Sequence, residues 1–162
     1  MKKLLWLLGA LLLVSAPGYA TTLLWMDVHE LTRNSTAVVQ GTVVAQRTLS
    51  EKPGTPLNQV TVEVGETLKG DLDGAVLVNN PGFAGAPSFL EGDELILFVS
   101  TRNGTHVITG FQQGTFKIVS NPAGEKVLDR GIPSRDKAMA GVRSLDVLLN
   151  EIQKAVVQEG RP

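Results

Sequence analysis

Residues 94–100, Glu-Leu-Ile-Leu-Phe-Val-Ser, give the strongest indication of the architecture of this 162-residue chain. Successive side chains of a β-strand point to opposite faces of a sheet, so a strand that is apolar throughout must be covered on both faces. We therefore predict a central strand here, with the core of a small barrel on one face and a helix on the other.

Further strands are predicted around this central one. Residues 59–68 alternate cleanly, with Val60, Val62 and Val64 on one face and polar residues on the other, which is typical of a half-buried strand. Residues 37–49 are rich in valine but contain Gly41, which indicates a bulge or sharp coil. Shorter strands are predicted at 75–78, 106–109, 115–119 and 125–129. The resulting β-body covers about 36–130.

A loop rich in glycine and proline is predicted at 79–92. Long loops on a rigid scaffold often carry binding residues. Its two phenylalanines, Phe83 and Phe89, either reach a protein partner or fill the core while the loop closes the barrel. We favour the second interpretation of the phenylalanines, but we expect any protein partner to contact this loop or the barrel face.

A helix is predicted at each end of the β-body. Asp27 is a suitable N-cap for a short helix within 23–34, because its carboxylate accepts hydrogen bonds from free backbone N–H groups. The C-terminal helix is predicted at about 144–158, with Ser144 as its N-cap and Gly160 at its end. Residues 134–143 fit either an earlier helix start or a loop.

The C-terminal helix carries an apolar stripe at helical spacing, formed by Leu145, Leu148, Leu149, Ile152 and Val156. The stripe either covers one face of the β-body or pairs with another chain. It spans about two heptads, fewer than the three or four that indicate a coiled coil. We therefore expect it to pack on the β-body.

Residues 1–20 have the three regions of a secretory signal peptide. Lys2 and Lys3 precede an apolar run, and the small residues Gly18 and Ala20 fit a cleavage site after Ala20. The run is about eleven residues long, whereas a bilayer-spanning helix needs about twenty, so we expect no stable membrane anchor. The sequence thus predicts a single mature domain, 21–162, in the bacterial periplasm or medium.

Charge excludes some classes of partner. Lys2 and Lys3 lie in the leader, so thirteen of the fifteen basic residues remain against sixteen acidic ones, a mature net charge of about −3. Nucleic-acid binding and adhesion to an anionic membrane both depend on basic patches, and the sequence contains no basic block. We expect neither. The chain also lacks cysteine, so its core must form without disulfides.

The chemistry-bearing residues form no recognised constellation. His29 and His106 are far apart and lack the paired spacing of a zinc site. Asp71 and Asp73 could touch calcium, but carboxylates in a turn bond nearby backbone N–H groups. Ser134 and Lys137 match Ser-x-x-Lys without its partner motifs. We therefore assign no catalytic, cofactor-binding or metal-binding residue.

Three segments carry a family resemblance: 37–43 (Val-Val-x-Gly-x-Val), 62–70 (Val-x-Glu-x-Leu-Lys-Gly) and 89–98 (Phe-x-x-Gly-Asp-Glu-x-Ile-Leu-Phe). Their order resembles netrin-like modules, which include tissue inhibitors of metalloproteinases, and a broad group of secreted bacterial proteins. The resemblance covers about 23–119. It implies a small Greek-key barrel related to the OB-fold, with helices packed on it.

The resemblance carries over no functional residue. The animal inhibitors use an N-terminal cysteine to reach zinc, and this chain has no cysteine, although Thr21 would become a free amino terminus. Fold alone does not imply function.

Four functions remain open. The leading hypothesis is an exported, non-catalytic binding module. The alternatives are an inhibitor or accessory protein of a secreted hydrolase, an enzyme that gathers Glu63, Glu66, Asp93 and Glu94 in a pocket, and a carrier with an apolar cavity.

Overall fold

The computed structural model describes residues 25–50, 56–83, 85–130 and 143–160. Several predicted features lie outside these residues: the predicted signal peptide at 1–20, its predicted cleavage site after Ala20, Ser134 with Lys137, and the ambiguous stretch up to 142. Within the described ranges, no helix is both long enough and apolar enough to cross a bilayer.

The described part of the chain is mainly β, with two α-helices, as expected. The helices are α1 (Val28–Asn34) and α2 (Leu145–Glu159), and a short 3₁₀ turn spans Phe111–Gly114. The strands are β1 (Ala37–Ser50), β2 (Leu57–Lys69), β3 (Ala75–Pro81), β4 (Glu94–Arg102), β5 (Thr105–Ile108), β6 (Thr115–Ser120), β7 (Lys126–Asp129) and β8 (Arg143–Ser144).

The strand pairings run around a partly closed ring. β1 is long enough to pair with β2 and, through its first six residues, with β4. β3 pairs antiparallel with β2 and parallel with β5, and β5 returns to β4. The β3–β5 ladder is short, joining Val78 to His106 and Asn79 to Val107. Strands β6, β7 and β8 extend the sheet outward from β4.

Two apolar cores lie on opposite faces of β4. Leu95, Leu97 and Val99 face the inside of the ring, in a cluster with valines of β1, β2 and β3. Ile96 and Phe98 face outward, in a cluster with residues of both helices, β6 and β7. The prediction that this strand is buried on both faces is confirmed.

Gly41 lies at an irregularity of β1. The β1–β2 register shifts between Gln40 and Gly41, and a Cβ atom at Gly41 would collide with the backbone oxygen of Glu63. The predicted bulge is confirmed, and the reason is the close approach of two backbones.

Both helices pack on the outer core. Asp27 and Glu30 form a reciprocal capping box at the start of α1, so the predicted N-cap is confirmed. The α2 stripe covers the sheet, with Leu148 and Ile152 fully buried. Ser144 stands at the α2 N-cap position, but its side chain makes no capping hydrogen bond.

Two predicted boundaries need correction. The loop expected at 79–92 begins later, because β3 continues through Pro81, which pairs with Leu57 of β2. Proline lacks a backbone N–H group and is tolerated only where no strand needs that donor. Among the described strands, β5 pairs with β3 only at Val78 and Asn79, so the outer edge of β3 is unpaired at Pro81. β8 lies outside the predicted β-body.

We predict that Gly41→Ala lowers the free energy of unfolding by about 2 kcal/mol, because the added methyl group forces β1 and β2 apart. Urea denaturation would measure the change. The matched control is Gly65→Ala on β2, where the nearest atom to an added Cβ is Gln40 O at 3.8 Å. The control should change stability by less than about 0.5 kcal/mol. Equal stability of the two variants would contradict the steric account of Gly41.

Candidate functional site

The second half of the 82–93 loop closes over the inner core. Phe89 is 5% exposed and packs among the ring valines, which confirms the core interpretation for this residue. Asn80 Nδ2 donates a hydrogen bond to Pro87 O at 2.8 Å and fixes the loop to β3. Phe89 is therefore a structural residue.

Phe83, on the first half of the same loop, does not enter the core, so the favoured core interpretation is wrong for this residue. Its side chain is 43% exposed, and its ring meets Phe111 edge to face, with 5.0 Å between centroids and 74° between planes. Such geometry is favourable for aromatic rings. We call Phe83 and Phe111 the aromatic pair.

Phe111 has an unusual backbone conformation. Its φ is 55°, a left-handed value that is rare for a bulky residue, and it follows the left-handed Gly110 with φ of 67°. Neighbouring bonds hold the turn in place, because Gln113 N donates to Gly110 O and Gln112 N donates to Gly85 O. Phe111 was not among the residues singled out from the sequence. The signal that could have revealed it is the Gly-Phe-Gln-Gln-Gly segment at 110–114.

A buried glutamine anchors this turn from below. Gln113 is fully enclosed; its Oε1 accepts from Met26 N at 2.7 Å, and its backbone oxygen accepts from Arg130 Nη2 at 3.0 Å. The Arg130 guanidinium lies over two rings, 4.4 Å from the centroid of Phe116 and 4.8 Å from that of Trp25. The turn is thus joined to the segment before α1 and to the end of β7.

A small cavity of about 180 Å³ opens beside the turn, between the loop and strands β6 and β7. We call it the loop pocket. It is lined by Pro87, Ser88, Gln112, Thr115, Lys117, Asp129 and Arg130.

Some polar groups of the loop pocket have hydrogen-bond partners within the described fold, and one does not. Lys117 Nζ forms an ion pair with Asp93 Oδ2 at 2.6 Å, and the same carboxylate oxygen accepts from Leu90 N at 2.7 Å. The Thr115 side chain is buried, and its Oγ1 has no hydrogen-bond partner among the described residues. A buried hydroxyl without a partner is costly, and such groups often mark a site where another molecule completes the hydrogen bonding.

A second cavity, of about 340 Å³, lies on the other side of Arg130 between the two helices. His29 Nε2 and Gln158 Oε1 are hydrogen-bonded across it at 2.6 Å, so His29 sits on a helix surface as expected. The charged residues that line this second cavity carry both signs: Asp27, Arg130, Glu151 and Lys154.

The other histidine and the turn carboxylates do not come together as a metal site. His106 Nδ1 is hydrogen-bonded to Thr101 Oγ1 at 2.9 Å. Asp71 and Asp73 are exposed in the β2–β3 connection. Within the described part of the chain, no three histidine or acidic side chains are close enough to hold a metal ion.

The structure brings three of the four acids of the enzyme hypothesis to one surface depression and directs the fourth elsewhere. Glu63, Glu66 and Glu94 line an open depression beside Gly41, whereas Asp93 turns to Lys117. Glu94 also forms an ion pair with Lys126, with 2.8 Å between Lys126 Nζ and Glu94 Oε1.

The sequence matches no protein-family model, and no curated protein is detectably similar to it. Function is therefore argued from the site.

We predict that Gln113→Leu lowers the free energy of unfolding by about 1–3 kcal/mol, because the variant removes the acceptor of Met26 N. It should also speed hydrogen exchange at the Met26 amide and in the 3₁₀ turn. Gln153→Leu, on the exposed face of α2, is the control and should change neither quantity. Unchanged exchange at Met26 in Gln113→Leu would show that Gln113 does not anchor this segment.

Proposed function

We propose that this protein is an exported, non-catalytic binding module that contacts a protein partner through the aromatic pair. The observation that carries the proposal is the pair itself. Phe83 is 43% exposed, and Phe111 is held against it by a left-handed backbone. Strained conformations of this kind cost about 1–3 kcal/mol and persist where the surrounding structure enforces them, most often at functional sites.

The surroundings of the pair suit a protein contact. Aromatic residues are enriched in the energetic centres of interfaces, where they bury much area with few rotatable bonds. Leu90, on the same loop, is 67% exposed, and charged groups of the loop pocket lie behind the 3₁₀ turn. An apolar centre with a polar border is the usual arrangement of such surfaces.

The proposed fold is a Greek-key, OB-like barrel of the netrin-like kind. The neighbour order β1–β2–β3–β5–β4–β1, with a single parallel pair between β3 and β5, supports this assignment. The OB-fold is a partly open five-stranded Greek-key barrel. The helices packed on the outer face of β1 and β4 agree with the resemblance of segments 37–43, 62–70 and 89–98.

Export and the lack of catalysis rest on separate observations. Lys2, Lys3, the apolar run and the small residues before Thr21 support secretion to the periplasm or medium. Pairing of Asp93 with Lys117 and of Glu94 with Lys126 supports a structural role for these carboxylates. A partner that is itself a secreted hydrolase would favour the inhibitor hypothesis.

The test is capture of the partner in the native envelope by crosslinking a tagged protein. We expect Phe83→Ala and Phe111→Gly each to reduce capture by about tenfold or more, as loss of a central aromatic contact does. Phe111→Gly suits the left-handed backbone, so the fold should be retained. Leu49→Ala, at an equally exposed apolar residue of β1, is the control and should leave capture unchanged.

Urea unfolding of each variant separates loss of contact from loss of fold. The proposal is wrong if a Phe83→Ala, Phe111→Gly double variant captures the same partner as the wild type. It is also wrong if the wild type captures no specific partner.

A further inference from the structure

We infer that the loop pocket binds a carboxylate, namely the free carboxyl terminus of a peptide whose last side chain is apolar. This inference rests on the proposed function, because it names the group that the partner would present beside the aromatic pair.

Thr115 provides the first argument. It is 3% exposed and lines the pocket, and its hydroxyl has no partner among the described residues. Leaving a hydroxyl buried and unbonded destabilises a fold. An oxygen acceptor in the pocket would remove this cost.

Lys117 provides the second argument. It stands two residues after Thr115 on β6, so both side chains project from the same face of the strand. An ammonium group has three N–H donors, and the described contacts of Lys117 use one of them, for Asp93 Oδ2. The remaining N–H groups of Lys117 and the Thr115 hydroxyl can all donate hydrogen bonds, which suits a ligand rich in acceptors.

The local charge defines the ligand further. Lys117 is offset by Asp93, and the pocket holds one further cation, Arg130, and one further anion, Asp129. The site is therefore close to neutral. A single negative charge that receives several hydrogen bonds suits this balance better than a phosphate dianion, which Asp129 and Asp93 would repel about twice as strongly.

The small volume of the loop pocket favours the terminus of a peptide over a whole small-molecule ligand. Its volume of about 180 Å³ is below the roughly 300–1,000 Å³ of typical small-molecule sites. Gln112 connects the pocket to the aromatic pair, because it lines the pocket and directly follows Phe111. A terminal carboxylate in the pocket would leave the adjoining apolar side chain near Phe83 and Phe111.

The experiment is a calorimetric titration of the exported protein with the peptide Gly-Gly-Gly-Ala-Leu, as free acid and as C-terminal amide. We expect the free acid to bind about tenfold or more tightly than the amide, because hydrogen bonds to a charged carboxylate are stronger than those to a neutral amide. Thr115→Val and Lys117→Met should each remove this preference. Lys126→Met, which breaks the comparable ion pair with Glu94 outside the pocket, should retain it.

Thr115→Val has a second readout. Since it replaces an unbonded buried hydroxyl with a methyl group of similar shape, it should raise the urea midpoint of the free protein while weakening peptide binding. A destabilised Thr115→Val would show that the hydroxyl already has a partner within the fold, and the inference would fall.

Other outcomes are equally decisive. Equal affinity for acid and amide, or a preference that survives in both Thr115→Val and Lys117→Met, would overturn the inference. Acetate binding as tightly as the peptide would make the pocket a site for small acids and overturn the peptide assignment. Partner capture that needs Phe83 but is unchanged in Lys117→Met would leave the proposed function standing and remove this inference alone.

Discussion

Burial of β4 on both faces is the constraint on which the rest of the structure depends. Leu95, Leu97 and Val99 need an apolar cover on one side, and Ile96 and Phe98 need one on the other. The curved sheet supplies the first cover by bending back on itself through β1. The helices supply the second. Since both covers pack on the same strand, the ring and the two helices share β4 as a common layer.

Polar contacts fix these layers relative to one another. Lys69 of β2 donates to Thr32 O at the end of α1 and pairs with Glu159 at the end of α2. On the opposite side, Arg130 and Gln113 join the 3₁₀ turn to the start of the described chain. A turn held this firmly can keep a strained residue beside an exposed one, which is the basis of the proposed binding surface.

In the proposed complex, the aromatic pair and the loop pocket would recognise different parts of the partner. The aromatic pair offers area and rigidity but little directional selectivity. The pocket behind it offers donors in fixed positions, on Thr115 and Lys117, within a nearly neutral environment. Together they would recognise an apolar side chain and the carboxylate next to it, whereas either one alone would bind many different peptides.

The central strand, the bulge at Gly41, the Asp27 cap and the inward face of α2 could all be predicted from the sequence, because each depends on local periodicity or on one residue's backbone preference. Only the tertiary structure distinguished Phe83 from Phe89, since a loop has no period that assigns a side chain to the core. Only it placed Phe111 against the loop and gathered Thr115 and Lys117 beside Pro87. Those contacts join segments about 30 residues apart, and their geometry follows from how the ring closes.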